Sequence, residues 1–174
     1  HAKRLLLTHS EICHEDYGLV YNCVIPTNIY GPNDFYSQNG GHVVANLIHK
    51  AFIAYRDNTD FIVWGDGNQE RQFLFTEDIS QLTKWALENY FDKSPLIFSS
   101  DESVLIGDLA KLIAQEFGVA DRLVFDANKP SGQKIRRLSG EKLKRLTGFK
   151  FTSLQEGIKK SCDWFKDNYP NIRT

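Results

Sequence analysis

The stretch from Leu19 to Ile25 is nearly all apolar, and it ends at Pro26. Such a run reads as a strand buried on both faces, the kind found in parallel sheets covered by helices. The next residues, Thr27-Asn28-Ile29-Tyr30-Gly31-Pro32-Asn33, are rich in turn formers and read as a loop. Small molecules in open α/β sheets sit beyond the carboxyl ends of strands, so this loop is the expected rim of a ligand site. Gly40-Gly41-His42 then stands directly before a helical pattern, offering an imidazole near the same rim.

The remainder alternates helices with strands, which argues for α/β architecture. Residues 2–17 read as a helix with Leu5, Leu6, His9, Ile12 and Cys13 on one face and Gly18 as its terminator. Val43, Val44, Leu47, Ile48, Ala51 and Phe52 recur at helical spacing. Residues 61–64 read as a strand, Gly65-Asp66-Gly67-Asn68 as a turn, and 71–75 as the returning strand of a hairpin. Helices are predicted over 76–91 and 106–117, the second stopped by Gly118. Short strands are predicted at 96–98 and 123–125, and a polar, basic loop over 126–138. The last helix opens on Ser153-Leu154-Gln155-Glu156, the spacing of a capping box, and ends near Tyr169-Pro170.

Composition narrows the function classes. A net charge of -1 gives no electrostatic argument for nucleic acid or an anionic membrane as partner. No apolar run approaches the ~20 residues that span a bilayer, and His1-Ala2-Lys3-Arg4 does not begin a secretory leader. Cys13, Cys23 and Cys162 lack metal-ligand spacing and point to a reducing, cytoplasmic compartment, with no metal. At 174 residues the chain can bury one core or form a small two-lobed unit. Methionine is absent even at position 1, so the sequence is expected to be part of a longer chain. Neither G-x-G-x-x-G nor a Walker A motif is present; in a nucleotide-using enzyme the phosphate-cradling half would lie outside this sequence.

Three groups could carry chemistry. His42 follows glycines that let the backbone approach a ligand, and imidazole can pass a proton either way near neutrality; it could equally serve only as a helix cap. Trp64 and Arg71 could hold a base or sugar and a phosphate, or be a half-buried indole and a solvated arginine on a surface hairpin. Lys129, Lys134, Arg136 and Arg137 put positive charge on one loop; charge runs are commonly solvated faces. Lys3 alone reads as a surface lysine.

The strings Pro26-Thr27-Asn28-Ile29-Tyr30-Gly31-Pro32-Asn33-Asp34, Gly41-His42-Val43-Val44 and Trp64-Gly65-Asp66-Gly67 through Arg71-Gln72-Phe73 resemble the GDP-L-fucose synthase family. These are NADP-dependent 3,5-epimerase/4-reductases of GDP-4-keto-6-deoxymannose, within the extended short-chain dehydrogenase/reductases. The resemblance extends over essentially the whole chain, through Val124 to Gly132 and Cys162-Asp163-Trp164-Phe165. It implies the C-terminal part of such an enzyme: residues 1–30 ending a Rossmann-type NADP(H) domain, and 31–174 mainly a small α/β substrate-binding domain. Residues 72–100 would pack back on the Rossmann part. It also implies a homodimer, with the first helix in the dimer-forming bundle.

By resemblance, Lys3 is the lysine of a Tyr-x-x-x-Lys motif and binds the nicotinamide ribose. Pro26, Thr27, Asn28 and Ile29 line the nicotinamide. His42 is the acid in epimerisation and lies near the cofactor, while Lys50, Trp64, Arg71 and Arg136 contact the GDP-sugar. Lys50 stands where bacterial members have arginine, so the resemblance does not imply bidentate phosphate binding there; Ser131 stands where many have aspartate, which leaves one ribose or base contact unsupported. The competing expectations are another nucleotide-sugar epimerase or dehydratase, and a non-catalytic GDP-sugar-binding module.

Overall fold

A computed structural model describes residues 1–37, 40–129 and 132–174; Ser131 lies outside the described residues. In chain order the elements are α1 (Ala2–Tyr17), β1 (Val24–Pro26), β2 (Asn28–Tyr30), α2 (Val43–Asp57), β3 (Phe61–Trp64), β4 (Glu70–Arg71) and β5 (Phe73–Phe75). They continue with α3 (Thr76–Asn89), β6 (Leu96–Phe98), β7 (Val104–Leu105), α4 (Ile106–Phe117), β8 (Leu123–Asp126), α5 (Glu141–Thr147) and α6 (Leu154–Asn168). The α/β class expected from the sequence holds.

Strands pair two by two. β1 runs parallel to β6, β2 to β5 and β3 to β8, while β4 and β7 are antiparallel. Two apolar cores result. The larger unites Ile48 and Ala51 of α2, Phe61 and Val63 of β3, Leu109 and Ile113 of α4, and Ile158, Cys162 and Phe165 of α6. The smaller gathers Leu74, Leu82, Ala86, Leu96, Phe98 and Leu143, with half-buried Val24 against it. Helix ends follow local chemistry. Gly18 and Gly118 take the left-handed conformation that ends α1 and α4, and the Ser153 hydroxyl accepts from the Glu156 amide to cap α6.

Four expectations are corrected. The apolar stretch 19–25 yields only the short strand β1, and it is not buried on both faces: Leu19, Val20 and Tyr21 are about half exposed. β1 has one neighbour, β6, among the described residues, and a parallel strand is buried on both faces only when flanked and covered. The segment after Pro26 is not all loop, since Asn28–Tyr30 pairs with β5. Helix α5 and strand β7 were not expected; at 7 residues, α5 is too short to announce itself by periodicity.

The hairpin is the fourth correction. Residues 65–68 do turn, with Asp66 Oδ1 accepting from the Asn68 amide at 3.0 Å and from Gln69 Nε2 at 2.7 Å. The turn is tied elsewhere, however: the Gly107 amide donates to the Gly67 carbonyl at 2.8 Å. A Cβ on Gly67 (φ +74°) would meet the Phe125 ring at 2.8 Å and Gly107 Cα at 3.0 Å, so only glycine fits there. Anchored to the start of α4, the chain leaves for β7 and β2, and β8 takes the edge of β3 with Leu123 opposite Phe61 and Phe125 opposite Val63.

Candidate functional site

His42 is the N-cap residue of α2, in extended conformation, and its side chain makes no capping bond. Its Nδ1 instead lies 3.0 Å from Asp34 Oδ1, with the imidazole 75% and the carboxylate only 12% exposed. That geometry excludes the reading of His42 as merely a cap. Asp34 Oδ1 also accepts from the Phe35 amide at 2.7 Å, and Oδ2 is buried without a partner among the described residues. An ionised carboxylate only accepts, so Nδ1 carries the hydrogen and Nε2 is left to exchange a proton. The loop must be tight for this: a Cβ on Gly41 would come within 2.5 Å of the Phe35 carbonyl oxygen.

The loop after β1 is fastened from both sides. The Thr27 amide donates to the Phe98 carbonyl at 3.0 Å, and Asn28 donates to the Gln72 carbonyl from its side chain (2.8 Å) and its amide (3.3 Å). Thr27 Oγ1 is buried with no partner among the described residues. A hydroxyl so placed fits a carboxamide or hydroxyl of a bound nicotinamide nucleotide, because a buried polar atom is normally satisfied.

Lys50 and Trp64 line one pocket of about 320 Å³ together with Ile62, Asp60, Asp126 and Lys129. The Lys50 ammonium sits 4.5 Å and the Lys129 ammonium 5.7 Å from the indole centroid. Such contacts hold each cation by about 0.5–1 kcal/mol when exposed. Burial pushes the Lys50 pKa down, a cost that an incoming phosphate would relieve. Trp64 is about half exposed, leaving ring surface available for a base or sugar.

Arg71 does not share that pocket's lining. Its Nη1 donates to the Glu70 carbonyl at 2.7 Å, and its Nη2 lies 3.4 Å from where a Cβ on Gly132 would stand. Arg71 therefore lies against the basic loop. Arg136 is exposed and, among the described residues, has no hydrogen bond or ion pair. Lys3 is the outlier: it sits exposed on the first turn of α1, with no contact to the other candidates. A second pocket of about 200 Å³, walled by Tyr30, Phe75, Asp78 and Phe151 among others, contains none of the candidate residues. Sequence reasoning missed Asp34, Glu70, Gln72 and the role of Lys129. The partners of Glu70, Gln72 and Lys129 lie more than thirty positions away along the chain, and Asp34 meets His42 across a loop for which no spacing rule exists.

Comparison with known proteins gives a consistent picture. A family model described as the NAD dependent epimerase/dehydratase family matches residues 1–99. The GDP-L-fucose synthase of Dictyostelium discoideum is 40% identical over 176 residues, covering 99% of this chain and 55% of that protein. The probable GDP-L-fucose synthase of Drosophila melanogaster is 36% identical over 183 residues, covering 99% and 57%. A GDP-L-fucose synthetase from Naegleria fowleri, whose crystal structure is also known bound to NADP, matches with a TM-score of 0.93 at 32% identity, covering 99% of this chain and 56% of that one. The chain spans about half the length of the curated relatives it matches.

Proposed function

The chain belongs to the NAD dependent epimerase/dehydratase family, and from that premise we propose that it supplies the acid and the sugar-nucleotide contacts of a GDP-L-fucose synthase. The observation that carries this reading is the Asp34–His42 pair at the head of α2. Epimerisation beside a ketone needs a base on one face of the sugar and an acid on the other. His42 Nε2 is the acid: it returns a proton to the carbons flanking the ketone of GDP-4-keto-6-deoxymannose, while Asp34 holds the ring and its tautomer. The base and the tyrosine that protonates the ketone oxygen are assigned to the part of the relatives' length that this chain does not span.

NADP(H), when bound, supplies the hydride that reduces the ketone. Pro26, Thr27, Asn28 and Ile29 line its nicotinamide, with the Thr27 hydroxyl as donor, and Lys3 takes the ribose once its helix meets the rest of the cofactor domain. Trp64, Lys50, Arg71 and Arg136 hold the GDP portion. Residues 1–30 and the segment 72–100 form the cofactor-domain side, a division favoured by the separate core around Leu74, Leu82, Leu96 and Phe98. The exposed Leu5, Leu6 and Ile12 of α1 serve a homodimer contact. Free Cys13, Cys23 and Cys162 suit a cytoplasmic enzyme. Among the described residues no helix is long and apolar enough to cross a membrane.

The test is solvent exchange. In the complete polypeptide, His42→Asn should abolish incorporation of deuterium from heavy water at the two carbons flanking the ketone, while NADPH affinity stays unchanged. Wild-type exchange by His42→Asn would remove the proposal.

A further inference from the structure

The basic loop is not loosely attached. The Glu70 amide donates to the Lys134 carbonyl at 2.8 Å, and Glu70 bridges Ile135 in parallel fashion. The Glu70 carboxylate accepts from the Ser103 hydroxyl and, with Oε1, from Arg137 Nε at 2.9 Å and Nη2 at 2.5 Å. That carboxylate is 15% exposed, whereas Arg137 is 59% exposed. Two residues on, Gln72 is 3% exposed. Its Nε2 donates to the Leu138 carbonyl at 3.0 Å and its Oε1 accepts from the Leu138 amide at 2.7 Å, a two-way bond like a strand pairing. The Gln72 backbone carbonyl is the acceptor for Asn28. One short stretch, residues 70–72, thus grips the segment 134–138 with side chains and backbone, carries Arg71 between the grips, and fastens the start of β2 at Asn28.

We propose that Glu70 and Gln72 are positioning residues that hold Arg136 at a fixed separation from Arg71 for the two phosphates of a nucleoside diphosphate; this rests on the substrate reading above. The physical reason is entropic. A polar loop that must order around a ligand takes the cost from binding, and a segment already docked on either side of Arg136 does not. Arg136, lying between the Ile135 bridge and the Leu138 pairing, keeps its guanidinium available because its neighbours make the anchoring bonds. The Glu70–Arg137 pair serves here as a geometric clip, since an ion pair with so exposed a partner contributes little Coulomb energy by itself.

The experiment titrates GDP and GMP calorimetrically into the complete polypeptide. Glu70→Gln, isosteric but uncharged, should weaken GDP about tenfold and GMP about twofold or less, because the second phosphate is what the loop spacing serves. Arg137→Ala should do the same, and the double variant should lose no more than either single one, since both act through one contact. Gln72→Glu should weaken GDP in the same selective way by breaking the pairing with Leu138. Wild-type GDP affinity in Glu70→Gln, while Arg136→Ala loses GDP, would overturn the positioning role and leave the substrate site standing. Wild-type GDP affinity in both Arg71→Ala and Arg136→Ala would overturn the substrate reading and this inference with it. Equal losses for GDP and GMP, or losses that track a falling melting temperature, would reduce Glu70 to a structural residue and overturn the proposal.

Discussion

Helices α1 and α2 are nearly equal in length, at 16 and 15 residues, and both present an apolar face. α2 buries Val44, Leu47, Ile48 and Ala51, packed by α4, α6 and β3, while α1 buries none of its residues. α1 is tethered by exposed contacts, Ser10 Oγ to the Tyr21 carbonyl at 3.0 Å and Lys93 to Glu15 at 2.7 Å, which contribute little. An apolar stripe states only which face is available; burial needs a partner surface. The difference is functional as well. Lys50 and the His42 N-cap ride on α2, an element locked by its core, so their geometry is set within this chain. Lys3 rides on α1, whose apolar face has no partner among the described residues.

This contrast can be broken or sharpened by experiment. The largest effect is expected at Phe165, fully buried on α6 against His49 and Phe52 of α2. Phe165→Ala should destabilise the chain by about 3–5 kcal/mol in chemical denaturation, and a cost near zero would mean that the core around α2 is not what holds it. Asp34→Asn comes next. It keeps a hydrogen-bond acceptor beside His42 but removes the charge, and should slow solvent exchange at the sugar about tenfold with GDP affinity unchanged. A matching loss of GDP affinity would mean that Asp34 shapes the pocket rather than the imidazole.

A smaller effect concerns pH. Hydrogen bonds from Ser103 and Arg137 hold the Glu70 carboxyl below its usual range. A carboxyl lowered in the folded state stabilises fully above its unfolded pKa, and that contribution fades as pH falls through the folded value. Amide protection in residues 134–138 should therefore persist through neutral and mildly acid pH and fall only below about pH 4.3; loss at pH 6 would contradict the clip. The smallest effect is expected on α1. Leu6→Ala should change stability by about 0.5 kcal/mol or less, and a cost as large as that of Phe165→Ala would erase the distinction between the two helices.

Much of this molecule was written in short-range chemistry. The spans of α2, α4 and α6, the stops at Gly18 and Gly118 and the cap at Ser153 follow from periodicity and from bonds closed within one helical turn, so the residues alone determined them. The place of His42 at the head of α2 was legible from the two glycines before it and the helical pattern behind it, whereas the pocket shared by Lys50 and Trp64 emerged only from the fold. Tertiary structure alone decided that β3 pairs with β8 and not with the segment after its turn, that residues 19–21 stay exposed, and that Asp34 faces His42. The same holds for Glu70 and Arg137, separated by 67 positions. A helix carries its hydrogen-bond partners inside itself, whereas a strand edge or a carboxylate takes its partner from whatever surface the rest of the chain brings beside it.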